Sequence, residues 1–288
     1  MSIRRRNRLA VAAFIVSGVL WGAGFPFGKY AFAQLGPAQV VLFRFVMATA
    51  VMVPIAWAQG VRPARRDLPL FVVAGVVTVP VTYLLQFAGL TLTTAASASL
   101  VMGATPPLLA LAAVATRGER LGVGGWIAVA LSSVGVLLVV GQPNGGHSWV
   151  GDFLVFLAAV AVVGAVLMTK DLVGRYPALA ATTYIIAFGT ITLAPVALLW
   201  EGLPSLHLSA QVWGSVLLLG LGSTALANLL YNWGLAHFDA SRAGVYLNVE
   251  PLVGALLGVT MLGEQLGPSA ALGGALIVGT ALYISRTQ

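Results

Sequence analysis

Ten apolar runs, each about twenty residues long, leave this chain few ways to fold. They lie at about 9–32, 38–58, 68–90, 94–116, 122–140, 149–169, 178–200, 212–235, 240–262 and 267–285. Wound as a helix at about 1.5 Å per residue, such a run crosses a hydrocarbon core of about 30 Å. In lipid every backbone N–H and C=O must be satisfied within the protein, which leaves helices or closed β-barrels. Barrel strands alternate apolar and polar residues, whereas these runs are continuous. The expected fold class is therefore an all-α membrane protein with ten transmembrane helices. Composition agrees: 59% of the 288 residues are hydrophobic and 8% charged, against about a quarter charged in soluble domains. With no cysteine, disulfides and thiolate metal sites are excluded.

The basic stretch RRRNR before the first run, with AFA at 31–33, has the outline of a signal peptide. The apolar stretch is longer than a signal core and more runs follow, so a retained helix is expected. With the N-terminus inside and the runs alternating, thirteen of the fifteen Lys and Arg fall in cytoplasmic loops or termini; Lys29 and Arg44 do not. This asymmetry orients the chain with both termini cytoplasmic. It also accounts for the net charge of +7 through contact with anionic headgroups rather than nucleic acid.

Residues 89–122 align with 234–267 at an offset of 145 without a gap, and twelve of 34 positions are identical. The matches include Gly89/Gly234, Ala95/Ala240, Pro106/Pro251, Gly118/Gly263 and Glu119/Glu264, in-register Pro and Gly-Glu that apolar composition alone does not produce. The expected organisation is a five-helix repeat at 1–141 and a second at 149–288. Five is odd, so the second enters the membrane inverted. Inverted repeats are a transporter architecture, with the site at the midplane between the halves.

The stretch LWGAGFPFGKYAF (20–32) resembles the first-helix signature of EamA-type proteins of the drug/metabolite transporter superfamily. LFRF (42–45) resembles their second-helix arginine. PPLLALAAVATRGERL (106–121) and EPLVGALLGVTMLGEQL (250–266) resemble the Pro…Gly-Glu ends of helices four and nine. GDFLVFLAAVAVVGAVL (151–167) resembles the start of the second repeat, with Val162 and Val163 where an aromatic is frequent. The resemblance spans nearly the whole chain. It implies a ten-helix bundle, a central cavity formed by helices 1, 3, 4, 6, 8 and 9, and a bacterial exporter of aromatic amino acids.

Glu250 lies inside an apolar run, about ten residues from its inner end, or ~15 Å. Intramembrane acids mark substrate or ion pathways, the alternative being an internally paired glutamate that closes a helix contact. Its repeat mate is Thr105, so packing symmetry does not demand an acid. Trp21 sits near the middle of the first run and offers a ring for stacking and an N–H, or equally a packing group. Tyr83 and Gln86 share a face with Val79 in the third run. Ser99, Met102 and Thr105 mark the fourth, and Thr224, Asn228, Tyr231 and Asn232 the eighth. Tyr246 stands one turn before Glu250. The expected substrate-binding set is Trp21, Tyr83, Gln86, Met102, Asn228, Tyr231, Tyr246 and Glu250; Glu250, Pro106 and Pro251 are coupling or gating candidates. Interhelical hydrogen bonding is the competing role for the polar members.

Arg44 is expected to snorkel outward or to make a structural pair, with neutralisation of a carboxylate as the alternative; Lys29, near the outer end of its run, is expected to snorkel. Gly18, Gly22, Gly24 and Gly28 are expected to let a neighbouring helix approach. Asp239 and Arg242 read as a capping pair, and His147, His207 and His237 have no evident metal partner. GAGFPFGKY resembles a phosphate loop, but the spacing is wrong and Tyr30 replaces the Ser/Thr. The expected function is a secondary transporter exporting small amphipathic metabolites across the bacterial inner membrane, with aromatic or apolar amino acids as cargo. A proton-coupled multidrug exporter is the alternative and an intramembrane enzyme a remote one. No catalytic residue, cofactor, metal, nucleic acid or nucleotide-binding subunit is expected; the partners are a small-molecule substrate and lipid, in a monomer or homo-oligomer.

Overall fold

The computed structural model describes residues 3–117, 122–139, 148–238, 243 and 246–287. Gly118, Glu119, Asp239, Ala240, Arg242 and His147 lie outside the described residues. Among those described the regular structure is helical, and its unbroken or nearly unbroken segments are α1 (Ile3–Ala31), α2 (Pro37–Ala58), α3 (Arg65–Leu92), α4 (Ala95–Thr116), α5 (Val123–Val139), α6 (Trp149–Val173), α7 (Ala178–Glu201), α8 (Ala210–Leu235), α9 (Tyr246–Leu262) and α10 (Pro268–Thr287). Seven of these, α1 to α4 and α6 to α8, are long and apolar enough to cross a membrane; the apolar stretches of α5, α9 and α10 are shorter.

The surface is apolar where a soluble protein's is charged. Leu199 is 89% exposed, Leu137 74% and Trp57 71%, positions that lipid tails solvate and water does not. Trp57, Trp126, Trp149, Trp200, Trp213 and Trp233 all stand near helix ends, where amphipathic rings prefer the headgroup level. Trp21 is the exception, inside α1.

Helix ends are fixed by neighbouring elements. Glu264 folds back beyond α9 and accepts from the N–H groups of Ala95 and Ala96, both at 2.8 Å, at the start of α4. Gly263 makes this possible by closing α9 with φ +67°, a left-handed conformation that suits glycine. Glu201 at the end of α7 accepts from Gln39 N–H at 2.9 Å, capping α2. Asp67 holds Arg175 and Tyr176, and Asp152 accepts from Thr93 and Ser97.

The packing repeats itself under exchange of the two halves. α1 packs on α8 and α9, and α6 on α3 and α4; α2 meets α7, and α5 meets α10. Two irregularities follow the same exchange. α3 is π-helical over Val77–Tyr83 and α8 over Leu218–Leu226, with Thr82 and Thr224 bonding carbonyls five residues back at 2.8 Å. α4 turns at Gly103–Ala104 and resumes at Thr105. α9 opens with a 3-10 turn, Tyr246–Asn248, and becomes α-helical at Val249. Thr105-Pro106 and Glu250-Pro251 thus begin corresponding helical pieces. Proline suits a first turn, where its missing N–H leaves no bond unmade. Glu250 therefore stands in the opening turn of the helical piece that begins at Val249, where the helix dipole favours its carboxylate.

Candidate functional site

The breaks of α3, α4 and α9 border a cavity of about 90 Å³. At about 10–15 Å³ per water it has room for roughly six to nine waters, the bulk of one small metabolite. Trp21, Gly24 and Phe25 of α1 line it, with Thr78, Thr82, Tyr83, Gln86 and Phe87 of α3. Met102 and Thr105 come from α4, Asn228, Tyr231 and Asn232 from α8, and Leu247 and Glu250 from α9. The wall contributed by α6 is Val162, Ala165, Val166 and Thr169, all small. The six helices implied by the resemblance are present, and α2 and α7 join them through Arg44 and through Thr182, Ile185 and Ile186.

The expected binding residues divide. Trp21, Tyr83, Gln86, Met102, Asn228, Tyr231 and Glu250 come together on the cavity; Tyr246 is not part of its lining, and its ring stacks on Phe14 at 5.0 Å. Pro251 is buried behind Glu250, with its carbonyl oxygen taking a long bond from Ser99. Pro106, also buried, follows Thr105. Thr224 and Asn232 serve the packing: Thr224 receives Arg44, and Asn232 donates to Thr182 at 2.9 Å.

Glu250 is 8% exposed, and among the described residues no donor bonds its carboxylate. This sets it apart from Asp67, Asp152, Glu201 and Glu264, which all hold donors. Its helix is pressed against α1 at Gly22, where a Cβ would stand 2.6 Å from the Glu250 carbonyl oxygen. The expected close approach at Gly18 and Gly22 is thus made by α9. Gln86 likewise lines the cavity without a hydrogen bond. Among the described residues, four further polar atoms on the lining are buried without a partner: Trp21 Nε1, Thr78 Oγ1, Thr105 Oγ1 and Tyr231 OH. Buried polar groups are nearly always bonded, so polar atoms clustered on one cavity mark it as a candidate binding site.

Arg44 does not snorkel. It is 2% exposed, and its Nε donates to Thr224 Oγ1 at 2.8 Å. Its guanidinium carbon stands 4.4 Å from the Tyr83 ring centroid, 5.1 Å from Phe87 and 5.6 Å from Phe45, within range of cation–π attraction. Lys29 does not reach for solvent either; its ammonium donates to the Thr93 carbonyl oxygen. Sequence spacing missed the cavity role of Thr78, Thr82, Phe87 and Thr182. The signal available was polar residues inside apolar runs.

The sequence profile of the EamA-like transporter family matches residues 8–141 and 149–286. The chain belongs to the EamA-like transporter family. It is 29% identical over 286 residues to a protein of Streptantibioticus cattleyicolor named a probable terminal-alkyne amino-acid exporter, covering 96% of this chain and 93% of that one. It is 23% identical over 281 residues to the biotin transporter of Escherichia coli, covering 96% and 93%. A solved crystal structure superposes with a TM-score of 0.72 over 97% of this chain and 98% of the other at 23% identity, a likeness of fold. The chain is thus a multi-pass membrane transporter of this family.

Proposed function

We propose that this protein is a secondary transporter that exports small amphipathic metabolites, foremost apolar and aromatic amino acids, across the bacterial inner membrane. The observation that carries the reading is Glu250: a buried carboxylate with no donor among the described residues, on a cavity whose wall combines rings, small apolar side chains, and hydroxyl and amide groups. A substrate ammonium supplies the missing donors. The apolar body of the substrate lies against Val162, Ala165 and Val166, where small side chains leave room, and among Phe25, Phe87 and Trp21.

In this reading ten helices span the membrane with both termini cytoplasmic, as two inverted halves at 1–141 and 149–288. Alternating access arises as α1, α2, α8 and α9 rock against α3, α4, α6 and α7. Pro106 and Pro251, at the breaks of α4 and α9, are the hinge candidates. The substrate named for the Streptantibioticus relative, an amino acid, supports the class. The rival, a cationic multidrug exporter, is disfavoured by Arg44 on the same cavity, since a cation would meet a fixed positive charge there.

Flux of radiolabelled phenylalanine, tryptophan and serine in proteoliposomes, with a cationic dye as comparison, tests the proposal. Saturable flux of the aromatic pair exceeding that of serine and the dye is expected. Flux of the dye alone, driven by a proton gradient, overturns it.

A further inference from the structure

We infer that Arg44 is the carboxylate-recognition group of this transporter, so that its cargo carries a free carboxylate as well as an ammonium. The inference rests on the amino-acid reading above and narrows it. Arg44 carries five N–H donors in a planar fork. Its Nε is spent on Thr224, and one terminal nitrogen makes a long contact to the Ser223 carbonyl oxygen. The other makes no hydrogen bond among the described residues. The three rings attract the guanidinium without using its N–H donors.

Thr224 sits in the π-helical turn of α8, its own hydroxyl bonded to Leu219 O at 2.8 Å. The acceptor that orients Arg44 is therefore itself held. A guanidinium aimed by one fixed bond, with donors left over and a cavity beside it, suits the two oxygens of a carboxylate. Glu250 lines the same cavity, and the two do not form an ion pair with each other. One cation and one anion on the same cavity complement a zwitterion.

The test is direct titration of the purified full chain in nanodiscs with phenylalanine, phenylalanine methyl ester and phenethylamine. The wild type is expected to bind the acid at least about tenfold more tightly than the ester or the amine, because a recognition group left unpaired penalises the analogue. Arg44→Gln is expected to bring acid and ester to equal affinity while leaving ester binding in place. Thr224→Val keeps the charge but removes its orienting bond, and should shrink the acid-to-ester ratio should Arg44→Gln fail to fold. An unchanged ratio in either folded variant, or equal wild-type affinity for acid and ester, overturns the assignment while amino-acid transport stands. Binding of none of the three by the wild type overturns both readings together.

Discussion

The Lys29 ammonium donates to the carbonyl oxygen of Thr93, at the end of α3. Lys170, on α6, donates to the carbonyl oxygens of Leu235 and Phe238, at the end of α8. Phe238 and Thr93 stand 145 apart, the offset of the internal repeat. The same device thus appears twice, once at the α1–α3 contact and once at the α6–α8 contact. Each joins a helix of one proposed rocking group to a helix of the other. In the proposed inverted topology the two latches fall at opposite membrane faces, each a lysine on the exposed carbonyls of a helix C-terminus.

Removing one latch should open one face. A charge-assisted hydrogen bond is worth about 1.5–3 kcal/mol, so its loss should shift the population of the corresponding open state by about tenfold or more. The chain has no cysteine, so one placed at Met102, on the cavity, reports access without background. Lys29→Met should raise its labelling by a membrane-impermeant maleimide from the outer side, and Lys170→Met from the inner side. Labelling that rises from the same side in both variants would remove the latch account.

Glu264 bonds two otherwise unpaired N–H groups at the start of α4. Its loss resembles the loss of an N-cap, about 1–2 kcal/mol, or a fall in Tm of roughly 2–8 °C for a chain of this size. Glu264→Ala should show that fall in a detergent melt, and Glu264→Gln, which keeps one acceptor oxygen, a smaller one. Equal Tm for all three proteins would show that the cap contributes nothing.

Gly22 and Gly214 make opposite predictions for the same substitution. A Cβ at Gly22 would press on Glu250 O at 2.6 Å and Gly254 N at 2.9 Å, both backbone, whereas nothing lies within 4 Å of one at Gly214. Gly22→Ala must part α1 from α9 and should cost about 1–3 kcal/mol, with a matching loss of transport as Glu250 shifts. Gly214→Ala should raise stability by roughly 0.5–1 kcal/mol through helix propensity. A chemical or thermal melt of both proteins beside the wild type decides.

The apolar runs made the helices legible, because hydrophobic length is dictated by lipid and survives any tertiary context. The Gly-Glu match at Gly263 and Glu264 was legible as a repeat, though its purpose, capping α4 from α9, was not. Between the readings of Arg44 the sequence could not choose, because depth along a run says nothing about direction; Phe45, Tyr83 and Phe87, whose rings surround its guanidinium, come from two helices. Tyr246 shared a helical face with Glu250 on paper. The 3-10 turn at Tyr246–Asn248 rotates it away to Phe14, and that turn has no marker in the sequence. The π-helical stretches likewise emerge from packing around Pro80 and Gly220 rather than from a readable motif.

Glu250 should separate stability from activity. A buried carboxylate with no donor among the described residues is a net cost to the fold, since the helix dipole and the more distant Arg44 offset only part of the loss of water. Glu250→Gln removes that charge, keeps the volume and leaves the Gly22 contact with the backbone intact. The melt in detergent should therefore show a Tm equal to or above that of the wild type. Transport should fall by about tenfold or more, because an amide replaces a charge-assisted partner of the substrate ammonium by a neutral one worth roughly half as much. Raised stability with lost flux is the pattern of a group retained for its ligand. A parallel fall in Tm and flux would instead make Glu250 a structural residue, and the cavity's anionic recognition group would have to be sought elsewhere.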